Sequence, residues 1–413
     1  MEESELYNIR TCFKGSRCKL YDLATWKNGA AFKGVKVSPS GKPIIKIAEL
    51  NNGISESTIC TDEQFSEDIL LHKGDLVFAW SGNPETSIDI FRYNLTDGWL
   101  NQHIFKITVN EKVVDRDFFF YLMKYIKPNF KIIASNKQTT GLGHVTIADL
   151  KAITVTIPNH NLQRHIAEIL KSLDDKIELN NRINHNLEEQ AQALFKSWFV
   201  DFEPFKQGQF VNTEMGLIPK DWSIVPFFDI VRLCSGGTPK TDQPDYWGGN
   251  IPFFTPKDVS SSPFCLKTEK YITKTGLDHC NSHLYEPFTT FITARGTVGK
   301  LCMAGYPMAM NQTNYAICSI NIDPILAFLF SKQIVNNLKN KANGAVFDAI
   351  TTRDFEGERV IMAPDSILSE FSSTIRPLYN QILENEKQSF ALSKTRELVL
   401  PALMTGQTIN HNC

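Results

Sequence analysis

Residues 162–205 read LQRHIAEILKSLDDKIELNNRINHNLEEQAQALFKSWFVDFEPF. Within them Ile166, Leu170, Leu173, Ile177, Asn180, Asn184, Leu187, Ala191, Leu194 and Trp198 recur at alternating steps of four and three. That alternation draws one stripe along one helix face, the pattern of a coiled-coil seam. From Leu162 to Phe199 a continuous helix would run roughly 55 Å at 1.5 Å per residue. Ordinary globular helices are much shorter, so the length argues for a rod and against an amphipathic helix lying on a core.

The same pattern returns about 205 residues later, at Phe371, Ile375, Leu378, Ile382, Asn385, Ser389, Leu392, Arg396, Val399 and Leu403. Asn180 and Asn385 fall at the same phase, where a polar seam residue costs stability but fixes register. Pro377 predicts a break near the start of the second pattern, since it lacks an amide donor and crowds the preceding turn. The long helix would then follow it to about Leu400, with LPALMTG and Gly406 as the stop.

Working outward, both helices are preceded by related text: GHVTIADLKAITVTIP ending at Pro158, and FDAITTRDFEGERVIMAP ending at Pro364. Thr146, Asp149 and Leu150 match Thr351, Asp354 and Phe355 at an offset of 205. Each segment reads as a turn, a Thr-x-x-Asp stretch, an alternating apolar strand and a proline stop. Further upstream, Asn101-Gln102 resembles Asn311-Gln312, and GDLVFAWSG resembles TTFITARGTVG. Apolar helices are predicted over 118–125 and 325–334, among short β-type runs. The chain therefore reads as α+β, with an internal pseudo-two-fold repeat. The polar segment after Phe199, through Asp221-Trp222, reads as a boundary loop.

The 413 residues allow two or three domains. Apolar residues make up 42% and charged residues 21%, which excludes wholesale disorder. The formal net charge is −2, so any nucleic-acid contact must come from local patches. Nine cysteines lie singly with no C-x-x-C pair, which argues for reduced thiols and against a disulfide framework or zinc site. The polar start and the lack of a long apolar run point to a cytoplasmic protein with no membrane partner.

Catalytic patterns do not assemble. GTVGK (296–300) lacks the upstream glycine and the following Ser or Thr of a phosphate loop. No Asp/Asn-Pro-Pro-aromatic segment is present for base methylation, Pro244-Asp245 and Pro364-Asp365 are not followed at sensible spacing by the acid-x-Lys pair of a magnesium nuclease, and no paired histidines are present for a metal. The expectation is no catalytic residue, no metal and no cofactor in this chain.

Binding signals are stronger. Lys124, Lys127, Lys131 and Lys137 fall in a stretch with no acid among them; Lys332, Lys339 and Lys341 fall in another. Either stretch alone would suit a solvated helix face, but they recur at equivalent places. They are candidates for phosphate contacts. Candidates for reading base edges are Trp80, Ser81, Gln102, His103, Gln138 and Thr139 in the first half. In the second they are Thr255, Lys257, Asp258, Arg295, Gln312 and Thr313.

The long segment at 162–205, the MGLIPKDW that follows, SGGTPKTDQPDYWGGNIPFFTPKDV (235–259) and the terminal LPALMTG resemble the specificity subunit of type I restriction–modification enzymes. Where that family often has a Gly-Gly-Thr-Pro-type opening, as at 236–239, the first half has WKNGAAFKG (26–34). The resemblance implies two similar target recognition domains separated by two long antiparallel helices, with each domain reading half of a bipartite, asymmetric DNA site. The implied segments are 1–160, the first domain; 161–203, the central spacer helix; 204–364, the second domain with its connector; and 365–413, the distal helix and tail. It also implies that two modification subunits dock on the helices and that restriction subunits join them. S-adenosylmethionine, ATP and Mg²⁺ would belong to those partners. The competing reading is a coiled-coil adaptor that binds proteins and no DNA.

Overall fold

The computed structural model describes residues 6–9, 11–138, 141–296, 298–341 and 349–406. The chain divides into two compact units, Met1–Lys176 with Leu392–Cys413, and Ile177–Ala391. The sequence reading set the long helices apart from the domains. The structure instead gives each unit a share of both helices, because the buried face of each helix packs into a domain core.

In the first unit, strand Ser16–Lys19 pairs antiparallel with Thr154–Ile157. A four-stranded antiparallel sheet follows in the order Ala24–Asn28, Ile104–Val109, Leu76–Ala79, Asp89–Arg92. Leu76–Ala79 is buried at every position, as expected of a central strand with an unbroken apolar run. A second sheet orders Cys60–Thr61, Lys42–Ile45, Gly98–Leu100 and Leu70–Leu71, with Lys42–Ile45 and Gly98–Leu100 parallel. Helix Arg116–Asn136 lies on the core, its start capped by Asp115, which accepts from the amides of Asp117 and Phe118 at 2.9 Å each.

The second unit repeats this plan. Ser223–Pro226 pairs antiparallel with Arg359–Met362. The main sheet runs Val231–Ser235, Asn314–Ser319, Thr290–Thr293, Leu301–Ala304, Phe264–Cys265. The second sheet runs Lys270–Ile272, Trp247–Phe254, Ala309–Met310, and again its Trp247–Phe254 and Ala309–Met310 strands are parallel. Helix Pro324–Lys341 stands where Arg116–Asn136 stands in the first unit. The repeat read from a few matching residues thus extends to strand order and direction.

The Thr-x-x-Asp stretches are capping boxes. Thr146 starts helix Ile147–Ala152 and Thr351 starts helix Thr352–Glu356, each closed by its aspartate three residues on. Leu150 and Phe355, the next residue in each, are fully buried.

The first long helix is continuous from His160 to Phe199. In the first unit its Ile166, Ala167 and Leu170 enter a core with Phe118, Tyr121 and Leu122 of helix Arg116–Asn136; Met404 belongs to the same core. In the second unit, Ala191, Phe195 and Phe199 pack with Phe330, Phe371 and Ile375. Leu173, Ile177, Leu187, Leu378 and Leu392 are half-buried on the same stripe. At Asn180 the two helices exchange polar contacts. Its amide donates to the Asn385 carbonyl at 3.2 Å, to Gln388 Oε1 at 2.9 Å and to Ser389 Oγ at 3.2 Å. Asn385 Nδ2 donates to Asn184 Oδ1 at 2.8 Å, and Asn184 Nδ2 to the Ile382 carbonyl at 3.5 Å. Moving up one helix moves down the other, so these segments run antiparallel.

Two sequence expectations are corrected. The second helix runs unbroken from Asp365 to Thr405, straight through Pro377. Pro377 and Ser373, whose carbonyl loses its donor, are both exposed, so water can take the place of the missing amide. Pro401 also lies within the helix, which passes the expected end at Leu400 and stops at Gly406 (φ 75°). The connector is not a loop. It forms a hairpin, Phe210–Thr213 with Gly216–Pro219, and its Phe202 and Trp222 are buried in the second core.

Candidate nucleic-acid interface

Each domain gathers its candidate reading residues where the central strand leaves the main sheet. In the first unit that point is Trp80. Its amide donates to the His103 carbonyl at 3.2 Å and its carbonyl accepts from Val145 at 2.8 Å. The indole Nε1 donates to Asn28 Oδ1 at 3.1 Å, and the ring stacks on Phe105 at 5.5 Å with a 24° interplanar angle. His103 lies 5.9 Å from the indole, and Gln102 Nε2 is 3.1 Å from His103 Nε2. Ser81 pairs with His144 across a short strand. Trp80, Ser81, Gln102 and His103, from two separate stretches of sequence, thus form one cluster. Gln138 is exposed just beyond helix Arg116–Asn136, and Thr139 lies outside the described residues.

The second unit builds its counterpart with the same backbone bonds. The Ala294 amide donates to the Thr313 carbonyl at 3.1 Å and its carbonyl accepts from Ile350 at 2.9 Å. Asn311 Oδ1 gathers Thr313 Oγ1 at 2.8 Å and Asn314 Nδ2 at 2.6 Å, which fixes the Asn-Gln turn. Exposed Gln312 bonds Thr238. Arg295, Lys257, Lys270, Asn311 and Thr313 line a cavity of about 370 Å³. Glu269 also lines it, 3.8 Å from Lys257.

A residue that sequence reasoning missed holds each cluster. Gly29 packs where a Cβ would collide with the Leu100 and Asn101 carbonyls; Gly236 packs in the same way against those of Met310 and Asn311. Around them, Gln102 donates its amide to the Ala30 carbonyl, and Gly237 donates to that of Met310. WKNGAAFKG and SGGTPK therefore place equivalent glycines although their surroundings diverge. The close approach was hidden because the first stretch lacks the second glycine and the proline. Asn28 and Thr238, neighbours of these glycines, join the candidate surface through Trp80 and Gln312.

Two candidates serve the chain itself. The Thr255 amide and hydroxyl both donate to Asp258 Oδ2 at 2.7 Å, closing a capping box on the 3₁₀ turn Pro256–Asp258. Asp258 Oδ1 accepts from the Glu269 amide at 2.7 Å. Both carboxylate oxygens are thus engaged by local structure, while Thr255 lines the same cavity as Lys257 and Arg295.

The basic stretches also read differently in space. Lys124 and Lys127 share Asp89 at 2.9 and 2.5 Å, Lys131 pairs with Glu85 at 2.6 Å, and Lys137 with Asp149 at 2.5 Å. Four ammonium groups therefore face three carboxylates, and the stretch that is acid-free in sequence is close to neutral in the fold. Burial pulls Lys124 below the usual lysine range, with Asp89 opposing that shift. Lys332 pairs with Glu188 of the first long helix at 2.5 Å, and Lys339 donates to the Gly299 carbonyl at 3.3 Å. The Lys341 side chain lies outside the described residues. Lys124, Lys127, Lys131, Lys137, Lys332 and Lys339 thus tie their helices to their surroundings.

Among the described residues no group of three or more His, Cys, Asp or Glu side chains could hold a metal, and no helix is long and apolar enough to cross a membrane. The family model for the type I restriction modification DNA specificity domain matches residues 17–189 and again 219–390. The chain belongs to the type I restriction–modification specificity family. Each matched copy takes in one domain and much of the long helix that follows it, which is the repeat unit seen in the fold.

Relatives agree with this membership. The MjaIX specificity subunit of Methanocaldococcus jannaschii is 30% identical over 276 residues, 62% of this chain and 61% of that protein. The HindI specificity subunit of Haemophilus influenzae is 24% identical over 404 residues, 82% of this chain and 87% of that one. The crystal structure of a type I restriction–modification S subunit from M. genitalium shares the fold, with a TM-score of 0.58 at 14% identity over 96% of this chain and 97% of that one.

Proposed function

We propose that this chain reads a bipartite, asymmetric DNA sequence, one half with each domain, and serves as the scaffold of a type I complex in the cytoplasm. The observation that carries this reading is the pair of loop clusters at Trp80–Ser81/Gln102–His103 and Arg295/Gln312–Thr313. They are built from equivalent strands with the same backbone bonds, yet carry different side chains. Equivalent scaffolds with divergent tips suit two different half-sites, because amides and guanidinium groups read base edges. The long helices act as the spacer that sets the unread gap, and two modification subunits dock on them, with restriction subunits completing the complex. Catalysis, S-adenosylmethionine, ATP and Mg²⁺ belong to those partners.

The test is co-expression with the modification subunits, followed by mapping of methylated bases in host DNA. A split motif present only with this chain is expected, and Arg295→Ala or Gln312→Ala should relax one half while leaving the other intact. Methylation that ignores sequence, or equal loss at both halves, would overturn the reading in favour of the protein-binding adaptor.

A further inference from the structure

The second domain contains a pair of thiols in contact that DNA reading does not use. Strands Val231–Ser235 and Asn314–Ser319 are antiparallel neighbours, with Arg232 opposite Cys318 and Cys234 opposite Ala316. Cys234 and Cys318 therefore sit diagonally on one face of the sheet. Their sulfurs are 3.9 Å apart. Both are half-buried, whereas Cys265 and Cys302, packed in the same small core, are fully buried. Solvent thus reaches this pair more readily than the other two thiols of that core.

We propose that Cys234 and Cys318 are a redox-active dithiol that closes reversibly into a cross-strand disulfide when the chain meets a peroxide. One thiolate attacks a peroxide oxygen; the O–O bond breaks, hydroxide leaves as water after taking a proton, and a sulfenic acid forms. The second thiol then attacks that sulfur, the S–O bond breaks, and a second water leaves with the remaining proton. Two thiols lose two electrons in total and one peroxide gains them. Burial, then the neighbouring Cys234, pushes the Cys318 thiol up to about 12, with Arg232 opposing; closure should quicken as the pH rises. A diagonal pair is wider than most disulfide sites, so the bond would be strained and correspondingly easy to reduce. The strands involved end in the turns bearing Thr238 and Gln312, so closure would stiffen the base of that candidate reading loop.

The test treats the folded full-length chain with hydrogen peroxide, alkylates the remaining thiols and maps peptides by mass spectrometry. The expected result is a bond between peptide 233–240 and the peptide bearing Cys318, the loss of two thiols per chain, and full reversal by dithiothreitol. Cys302 shares a tryptic peptide with Cys318, so the Cys302→Ala chain assigns the bond. Cys318→Ala should abolish the link. Both cysteines recovered alkylated, separate irreversible oxidation of each, or a yield no greater than in chain unfolded before oxidation would overturn the proposal. None of these readouts depends on DNA, so the proposed function could fail while this inference stands.

Discussion

At the residue scale, equivalent positions do different work. Asp149 is buried and accepts from Lys137 at 2.5 and 2.7 Å, from the Thr146 amide and hydroxyl at 2.8 and 2.6 Å, and from Tyr7 at 3.1 Å. Burial alone would raise its carboxyl, but the bonds from Lys137 and Thr146 outweigh it and hold the group below the usual carboxylate range. Its stabilising contribution is present above the unfolded value and lost as pH falls through the folded one. Asp354 caps its helix at a half-buried position. Asp149→Ala should cost about 3 kcal/mol in urea unfolding, as for a broken buried pair, and Asp354→Ala about 1 kcal/mol, as for a lost cap. Equal losses would count against the assignment.

Glu386 behaves in the opposite sense. Burial pushes its carboxyl up to about 7, opposed by the Ser262 hydroxyl that donates to it and assisted by Glu188. Because the folded value is raised, this group stabilises most below the unfolded value near 4.5, and that contribution is lost as pH rises through 7. Glu386→Gln should raise the melting temperature at pH 8, by up to about 3 kcal/mol of stability, and have much less effect at pH 5. A shift of the same size at both pH values would refute this. The sequence showed both Thr-x-x-Asp motifs, but not these environments. The partners of Lys124, Lys131 and Glu386 lie 35, 46 and 124 positions away. An acid-free run in the text says nothing about the acids that folding brings to it.

At the element scale, the three-four spacing located the long helices, because each seam position must meet the same apolar surface turn after turn. Proline was over-weighted: its penalty falls when the orphaned carbonyl faces water, and residue type alone cannot say which way that carbonyl faces. The Asn180, Asn184 and Asn385 network holds the seam at one register. Asn180→Ala and Asn385→Ala should each cost about 1–3 kcal/mol, since each leaves buried partners unpaired. Asn184→Ala with Asn385→Ala, whose side chains bond each other, should lose less than the sum of the two singles, with a coupling of about 0.5–3 kcal/mol in urea unfolding of the full chain. Strict additivity would mean that the two side chains do not act together.

At the scale of the whole molecule, the proposed role gives the helices a metrical task. Matched four-residue insertions beside Asn180 and Asn385 should lengthen the unread gap of the methylated sequence and leave both half-motifs unchanged; an unaltered gap would remove the spacer. Affinity of the assembled methyltransferase for its site should fall steeply with salt, because phosphate contacts release counterions. The duplicated plan was legible from the offset near 205, whereas the loop tips were not, since side chains translate into bases only through docking geometry.

The meeting of Asn180 with Asn385 has a genetic corollary. The two occupy equivalent places in the duplicated plan, so at this point a residue confronts its own counterpart. The Asn180 side chain bonds the Asn385 backbone and the Asn385 side chain bonds Asn184, so an apolar side chain on one copy leaves a polar group of the other without its partner. The midpoint of the duplication should therefore drift more slowly than the tips.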